Sequence, residues 1–251
     1  INLVNNGANV TLTSTAAAFT RNTTGTALVR GQNLGSTIGA TTTNVSSTTA
    51  ITATGQAGAN AAKNRAIVPW IIVDTSVTGS GISFAVSETG AGLGLRKLAA
   101  SEMDTTFTAN NNILLNSGTA LTAGAAASSW TTTLVNSLTF DVASNPSLTI
   151  NAFRNVTLDS GGILVTNPAT NATINGTGAI NAANGATSRE LIVTTAGASK
   201  LTINVPVGGS IVPSTGGLTK SGEGTLVLAS SITNSYTGAT RVNLGTLQIA
   251  A

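Results

Sequence analysis

The second half of the chain is a series of short apolar alternations separated by turns rich in Asn and Gly. Successive alternations begin at Leu138, Leu148, Val156 and Ile163, at steps of 10, 8 and 7 residues (148 − 138, 156 − 148 and 163 − 156). Each step is too short for a strand followed by a crossover helix, so the spacing excludes a βαβ sheet. A sandwich, a barrel and a parallel β-helix remain as interpretations.

Three features favour the β-helix. The strands span only about three to five residues, which is short for a sandwich. The turns between them, such as Asn175-Gly176, adopt positive φ easily. Charged residues make up only 8% of the chain and aromatic residues 3%. A low charge suits a parallel stack, because like charges repeated at about 4.8 Å repel one another whereas Thr and Asn can form hydrogen-bonded ladders.

Residues 61–105 hold 4 of the 11 basic and 4 of the 8 acidic residues of the chain, and they also contain the dipeptide Pro69-Trp70. We interpret this stretch as an irregular excursion or small strand lobe packed on the solenoid, with one helical turn near its end. The predicted organisation is therefore solenoid coils over residues 1–60, the excursion over 61–105, and further coils over 106–251.

Composition excludes several classes of function. The chain has no Cys and no His, which removes disulfides, thiolate zinc sites, cysteine catalysis and the Ser-His-Asp triad. It lacks any apolar run of about 18 residues that would span a membrane as a helix. The net charge of +3 is not clustered on any segment, so we expect neither nucleic acid nor a membrane as a partner. We expect no cofactor and no metal, because the carboxylates are spread singly.

A motif with fixed glycines begins at Gly216. It reads GGLTKSGEGTLVL, then NSYTGATRVN from Asn234 and GTL from Gly245. This segment, residues 216–251, resembles the autotransporter-associated β-strand repeat, of general form GGLxKxGxGTLxL…NxYxGxTxVxxGxL; Leu244 departs from the usual small or polar residue. The excursion, with NRAIVPW from Asn64, Phe84 and GLRKL from Gly94, is similar to a segment of very long bacterial proteins that carry this repeat in tandem.

The resemblance implies a right-handed parallel β-helix that is exported across the envelope to the bacterial cell surface or the extracellular space. It also assigns roles within the repeat. The residues expected to point into the core are Leu218, Leu226, Leu228, Val242, Leu247 and Ile249. The glycines expected at corners are Gly222, Gly224, Gly238 and Gly245.

Two aromatic residues, Trp70 and Tyr236, are either packing contacts or ligand contacts. Tyr236 is expected to cap a corner with its ring, and Trp70 to plug the excursion onto the solenoid wall, because its flanks are almost continuously apolar. The alternative for Trp70 is a platform for a sugar ring.

The leading hypothesis is a non-enzymatic, structural segment of a large surface or secreted protein, forming a rigid stalk, fibre or coat. Apolar strands at both ends predict that the chain continues or that copies stack end to end. One alternative is an adhesin that binds a glycan or a host protein through residues 61–105. A less favoured alternative is a polysaccharide lyase or hydrolase, for which the candidate residues are Asp141, Arg154, Asp159 and Lys200.

Overall fold

A computed structural model describes residues 1–4, 8–14, 19–35, 42–47, 50–88, 94–166, 170–208 and 214–250. The chain forms two compact units, each built from two stretches of sequence. The first unit comprises Ile1–Thr54 and Ala66–Ala99, and the second comprises Gly55–Arg65 and Ala100–Ala251. Within the described ranges, no helix has the length and apolar character needed to cross a membrane.

The first unit contains a five-stranded sheet in the order β1-β3-β5-β6-β7 and a separate parallel pair, β2 and β4. Its strands are β1 (Asn2–Leu3), β2 (Val10–Ser14), β3 (Ala27–Gly31), β4 (Thr43–Ser47), β5 (Val68–Asp74), β6 (Ile82–Ser87) and β7 (Leu95–Lys97). Strands β1, β3 and β5 pair in parallel, whereas β6 pairs antiparallel with both of its neighbours, β5 and β7. The irregularity expected over 61–105 is therefore a change from parallel to antiparallel pairing within one sheet.

The two compact units have different boundaries from the three stretches expected from the sequence, which were 1–60, 61–105 and 106–251. Residues 66–99 group with the first unit, because β5 pairs with β3 and continues its sheet. Residues 55–65 group with the second unit. The expected helical turn is a 3₁₀ helix at Ala100–Glu102. The three-part division remains a prediction, and several of its residues, such as 36–41 and 89–93, lie outside the described ranges.

The second unit is a solenoid whose coils have three sides. Its strands are β8 (Asn112–Leu115), β9 (Leu121–Thr122), β10 (Thr131–Phe140), β11 (Ser147–Ile150), β12 (Arg154–Val165), β13 (Asn171–Gly176), β14 (Ala179–Asn184), β15 (Thr187–Ser188), β16 (Leu191–Thr195), β17 (Lys200–Ile203), β18 (Leu218–Ser221), β19 (Thr225–Leu228), β20 (Thr240–Val242) and β21 (Thr246–Ile249). Side A comprises β14 with the first halves of β10 and β12. Side B comprises β8, the second halves of β10 and β12, then β16, β18 and β20. Side C comprises β9, β11, β13, β17, β19 and β21.

The pairs that stack one coil on the next are parallel, and their register shifts once, between Val135 and Ser137 where β10 meets β12. Among the described strands of this unit, only the short β14–β15 hairpin is antiparallel. On side B, Ser137 opposes Gly162, an offset of 25 residues (162 − 137). Near the C-terminus Lys220 opposes Val242, an offset of 22 residues (242 − 220). The offsets agree with three short strands and three corners in each coil, and the predicted all-β solenoid is confirmed.

Inward-facing aliphatic side chains from the three sides form one continuous core. Its fully buried members include Leu138, Phe140, Leu148, Ile150, Val156, Leu158, Ile163, Ile174, Val193, Leu201, Leu218 and Leu226. Because neighbouring strands are in register, most of these side chains lie beside another aliphatic residue, such as Leu201 beside Leu226; Ile150 beside Gly176 is an exception. Burial of a side chain of this size contributes about 1.5–3 kcal/mol.

A ladder of buried polar side chains follows the corner between sides A and B. The Asn112 amide nitrogen donates to the carbonyls of Lys63 and Arg65, at 3.0 and 2.9 Å. The Asn136 amide nitrogen donates to Asn112 Oδ1 and to Arg65 O, both at 2.7 Å. The backbone N–H of Gln56 donates to Asn136 Oδ1 at 3.0 Å. These bonds hold residues 55–65 against the corner and explain their membership of the second unit.

Candidate functional site

The family-like repeat occupies the last two coils of the described solenoid. Leu218, Leu226 and Leu228 of its first coil are 0%, 0% and 3% exposed. Val242 and Ile249 of its second coil are 49% and 68% exposed. This exposure differs from the core role expected of them, and its cause is that β20 and β21 each pair with a strand on one side only.

Leu247 completes the predicted core set and is half-buried against the core cluster. It pairs with Leu226 in the coil below, just as Ile249 pairs with Leu228. The second coil therefore continues the inward-facing rows of the solenoid, and the described residues place nothing on its far side. The edge formed by β20 and β21, with Val242, Leu247 and Ile249, is called the open edge below.

The four predicted corner glycines all lie between strands. Gly222 and Gly224 connect side B to side C in one coil, and Gly245 does so in the next. Gly222 and Gly245 have φ values of +75° and +77°, which favour glycine. A Cβ on Gly245 would lie 2.3 Å from Gly222 O, so the corner backbones stack too closely for any side chain. Gly238, at the corner before β20, would place a Cβ 2.5 Å from the Gly216 carbonyl carbon.

Lys220 is a structural residue of this corner that was not singled out from the sequence. It is fully buried, although its neighbours in register are Val193 and Val242. Its ammonium donates to the carbonyl oxygens of Ser221 and Gly222, both at 2.6 Å, and to Leu244 O in the next coil at 3.1 Å. The three donors of the ammonium thus join two successive coils.

Burial lowers the pKa of Lys220 to about 8. The amine is still mostly protonated at neutral pH, when all three of its hydrogens meet carbonyl oxygens. The sequence contains a signal for this role. Lys220 lies two positions after Leu218 on the same strand, so both side chains are expected to point into the core. A charged residue at an inward position must find acceptors at a corner, because an unpaired charge is costly in the core.

The two aromatic residues singled out from the sequence are both partly buried. The Tyr236 ring packs against the solenoid core, and its hydroxyl forms a 2.7 Å hydrogen bond with Thr240 Oγ1. Trp70 lies on β5 and packs against the apolar cluster of the first unit. Both placements accommodate the packing role, and a ligand role for either residue remains a prediction.

The four charged candidates for polysaccharide chemistry are not brought together. Asp159, at the corner between sides A and B, is fully buried; Gln56 donates to its Oδ2, and Arg189 Nε lies 3.7 Å from its Oδ1. Arg154 begins side A and donates from Nε to Ala125 O at 2.7 Å. Asp141 and Lys200 are exposed at the corner between sides B and C. The four candidates therefore lie at three different corners of the coil, and only Asp141 and Lys200 share one.

In the part of the chain that the structure describes, no group of three or more His, Cys, Asp or Glu side chains is positioned to hold a metal ion. Asp104 and Glu102 are close together in the sequence, at the 3₁₀ helix. The Asp104 carboxylate accepts hydrogen bonds from Thr106 and Asn111 and forms an ion pair with Lys63. Burial raises the pKa of this carboxyl, but the hydrogen bonds outweigh burial and hold the pKa well below its usual range.

Residues 218–249 match the family model of the Passenger-associated-transport-repeat. The matched residues are those of β18 to β21, which form the corner glycines, the Lys220 contacts and the open edge. No curated protein and no solved structure matches the chain. The repeat and the β-solenoid together fit an autotransporter passenger-type repeat protein, a class whose members are exported to the cell surface.

Proposed function

We propose that this chain is a non-enzymatic structural segment of a large bacterial protein, located at the outer cell surface or secreted, where it forms a stalk, fibre or coat. The observation that carries the proposal is the in-register parallel stacking from β8 through to β20, with its continuous aliphatic core. Such a stack joins every coil to its neighbours by backbone hydrogen bonds, so stiffness is a property of the whole array.

The partner of the open edge is a further coil of the same type, either from the same polypeptide or from another copy of it. Three side chains favour this partner: Val242, Leu247 and Ile249 continue the rows that are buried one coil below. Strand edges with unpaired backbone groups pair readily with another strand. Coil-on-coil stacking would bury these residues as it buries Leu226 and Leu228.

The test of this proposal is assembly of the purified chain. We expect wild type to form end-to-end oligomers or filaments, visible by negative-stain electron microscopy and by sedimentation velocity, and to resist protease. The double variant Val242→Asp with Ile249→Asp places carboxylates in the apolar rows and should abolish assembly. Val77→Asp, at a residue of the first unit that is 63% exposed, is the matched control and should assemble like wild type. Identical monomeric sedimentation of all three proteins would reject stacking of separate copies through the open edge.

An adhesin that uses residues 61–105 is the second candidate, and Trp70 is its test. Trp70 is half-buried, so one part of the ring is accessible to a ligand while the rest packs against the first unit. If this candidate holds, Trp70→Ala will remove binding to cells or glycans while the melting temperature changes little. If the wild-type chain shows no binding and Trp70→Ala strongly lowers the melting temperature, the packing role is favoured instead.

A further inference from the structure

An exposed aromatic pair lies at the corner that leads from side C to side A. Trp130 immediately precedes β10 and Phe153 immediately precedes β12, and these strands pair in register from Thr131 and Arg154 onward. The two rings therefore stack on successive coils, with centroids 5.8 Å apart and planes at 80°. Phe153 is 43% exposed, and Trp130 is partly exposed. In a chain with only two Trp and five Phe, this is an unusual use of aromatic surface.

The backbone at this corner is rigid and strained. Phe153 has a φ of +58°, a conformation that a bulky side chain rarely adopts. Its carbonyl accepts the Thr131 N–H at 2.9 Å, and the Asn151 amide donates to Gly124 O at 2.7 Å. Strain of this kind persists where the surrounding structure holds it, and it concentrates at functional sites. Here its effect is to direct an aromatic ring into solvent rather than into the core.

Arg154 supplies a cation at the same corner, because it directly follows Phe153 in the sequence and its side chain lies against Gly124 and Ala125. Only its Nε is engaged, by Ala125 O, and the described residues offer no partner to its two Nη groups. The neighbouring stretches of sequence carry no other charged residue: residues 105–140 have none, and Arg154 is the single one in 142–158. A guanidinium with a free edge binds a carboxylate in a bidentate manner.

We propose that Trp130, Phe153 and Arg154 form a binding site for a glycan that contains uronic acid, on the flank of the solenoid. A sugar ring packs its C–H face against the exposed aromatic surface, and its carboxylate pairs with the Nη groups of Arg154. This site is separate from Trp70 and from the open edge, and it does not depend on end-to-end assembly. The site would give the solenoid a lateral contact with acidic polysaccharide.

Tryptophan fluorescence tests the proposal on the full chain. In a Trp70→Phe background Trp130 is the sole tryptophan, and its emission, excited selectively over that of Tyr236, reports on the site directly. The probes are an oligogalacturonate, a hyaluronan oligosaccharide, and the methyl-esterified oligogalacturonate as a neutral match to the first. We expect a saturable change with at least one acidic probe and at least about tenfold weaker binding of the ester, because the ester cannot form the ion pair.

Two variants separate binding from folding. Phe153→Gly removes the ring but suits the positive φ, so it should melt at or above the wild-type temperature while binding is lost. Arg154→Gln should weaken binding about tenfold or more, whereas Arg241→Gln, at an exposed arginine of the same unit, should not change it. The proposal is overturned by the absence of any saturable change with both acidic probes, by equal binding of acid and ester, or by binding that survives Phe153→Gly.

Discussion

The two units use the same kinds of strand but differ in whether charged residues face one another across neighbouring strands. In the first unit, Arg30 and Asp74 are register partners on adjacent strands and form a 2.7 Å ion pair, and Arg96 pairs with Glu88 at 2.6 Å. Among the paired strand residues described for the second unit, no charged residue lies opposite another. Lys220, for example, is flanked by two valines.

The contrast follows from how the strands are connected. A solenoid repeats nearly the same coil, so a charge placed in one coil tends to meet a like charge in the next. In the first unit, strands of different sequence lie side by side, so opposite charges can pair. Arg30 and Asp74 do so across the parallel strands β3 and β5, and Arg96 and Glu88 do so at the antiparallel hairpin of β6 and β7. Low charge is thus a requirement of coil-on-coil stacking, and the charged stretch of the sequence marks where stacking gives way to hairpins.

The largest expected effect tests whether the two units are energetically separate. Phe140→Ala in the second unit and Phe84→Ala in the first each remove a fully buried ring, at a cost of about 3–5 kcal/mol. Hydrogen exchange followed by mass spectrometry should show faster exchange in the solenoid for Phe140→Ala and in residues 1–54 and 66–99 for Phe84→Ala. Equal acceleration in both units by either variant would contradict the division.

The second prediction concerns the polar ladder that belongs to the solenoid alone. Asn112→Ala removes an amide group that donates to Lys63 O and Arg65 O and accepts from the buried side chains of Asn136 and Ser137, which should cost about 1–3 kcal/mol. Exchange of the amides of residues 55–65 should accelerate most. Asn175→Ala is the control, because the Asn175 side chain bonds only to Thr173 and Asn204 at a less buried position. If both variants lower the urea midpoint equally, the ladder has no special role.

Close stacking of the coils predicts a graded response to glycine substitution. Gly161→Ala combines a φ of +78° with a Cβ 2.2 Å from Glu190 O, and should cost about 2–3 kcal/mol. Gly185→Ala has a φ of +55° but open space around the new Cβ, and should cost about 1 kcal/mol. Thermal melting of the two variants measures the difference. Similar melting temperatures would mean that the coils are looser than the structure shows.

The smallest expected effect is a pH dependence due to Lys220. Its folded-state pKa, about 8, lies below the ordinary value of 10.5, so the unfolded chain binds the proton more tightly. The free energy of unfolding should therefore rise as the pH increases from about 8 to 10.5, and Lys220→Met should lack this rise. Lys200→Met, at an exposed lysine, should keep it. A wild-type urea midpoint that falls over this range would contradict the sign.

Much of the architecture was predictable because its signals are local. Steps of 7 to 10 residues between alternations such as Leu148 and Val156 leave room for a strand and a corner but not for a helix. The glycines of the terminal repeat, such as Gly222 and Gly245, indicated corners because only glycine suits positive φ beside another backbone. The contacts of Lys220 were not predicted, because its acceptors include Leu244 O in the next coil.

The sequence by itself determined the all-β class, the short strands, the low charge and the resemblance of the terminal repeat. These depend on the periodicity and conformational preferences of neighbouring residues. Only the tertiary structure decided that residues 55–65 close the Asn112 corner, that Trp130 meets Phe153, and that Val242 and Ile249 lie on an open edge. Each of these depends on which coil lies beside which, and that register is set by the whole stack of strands rather than by any one segment.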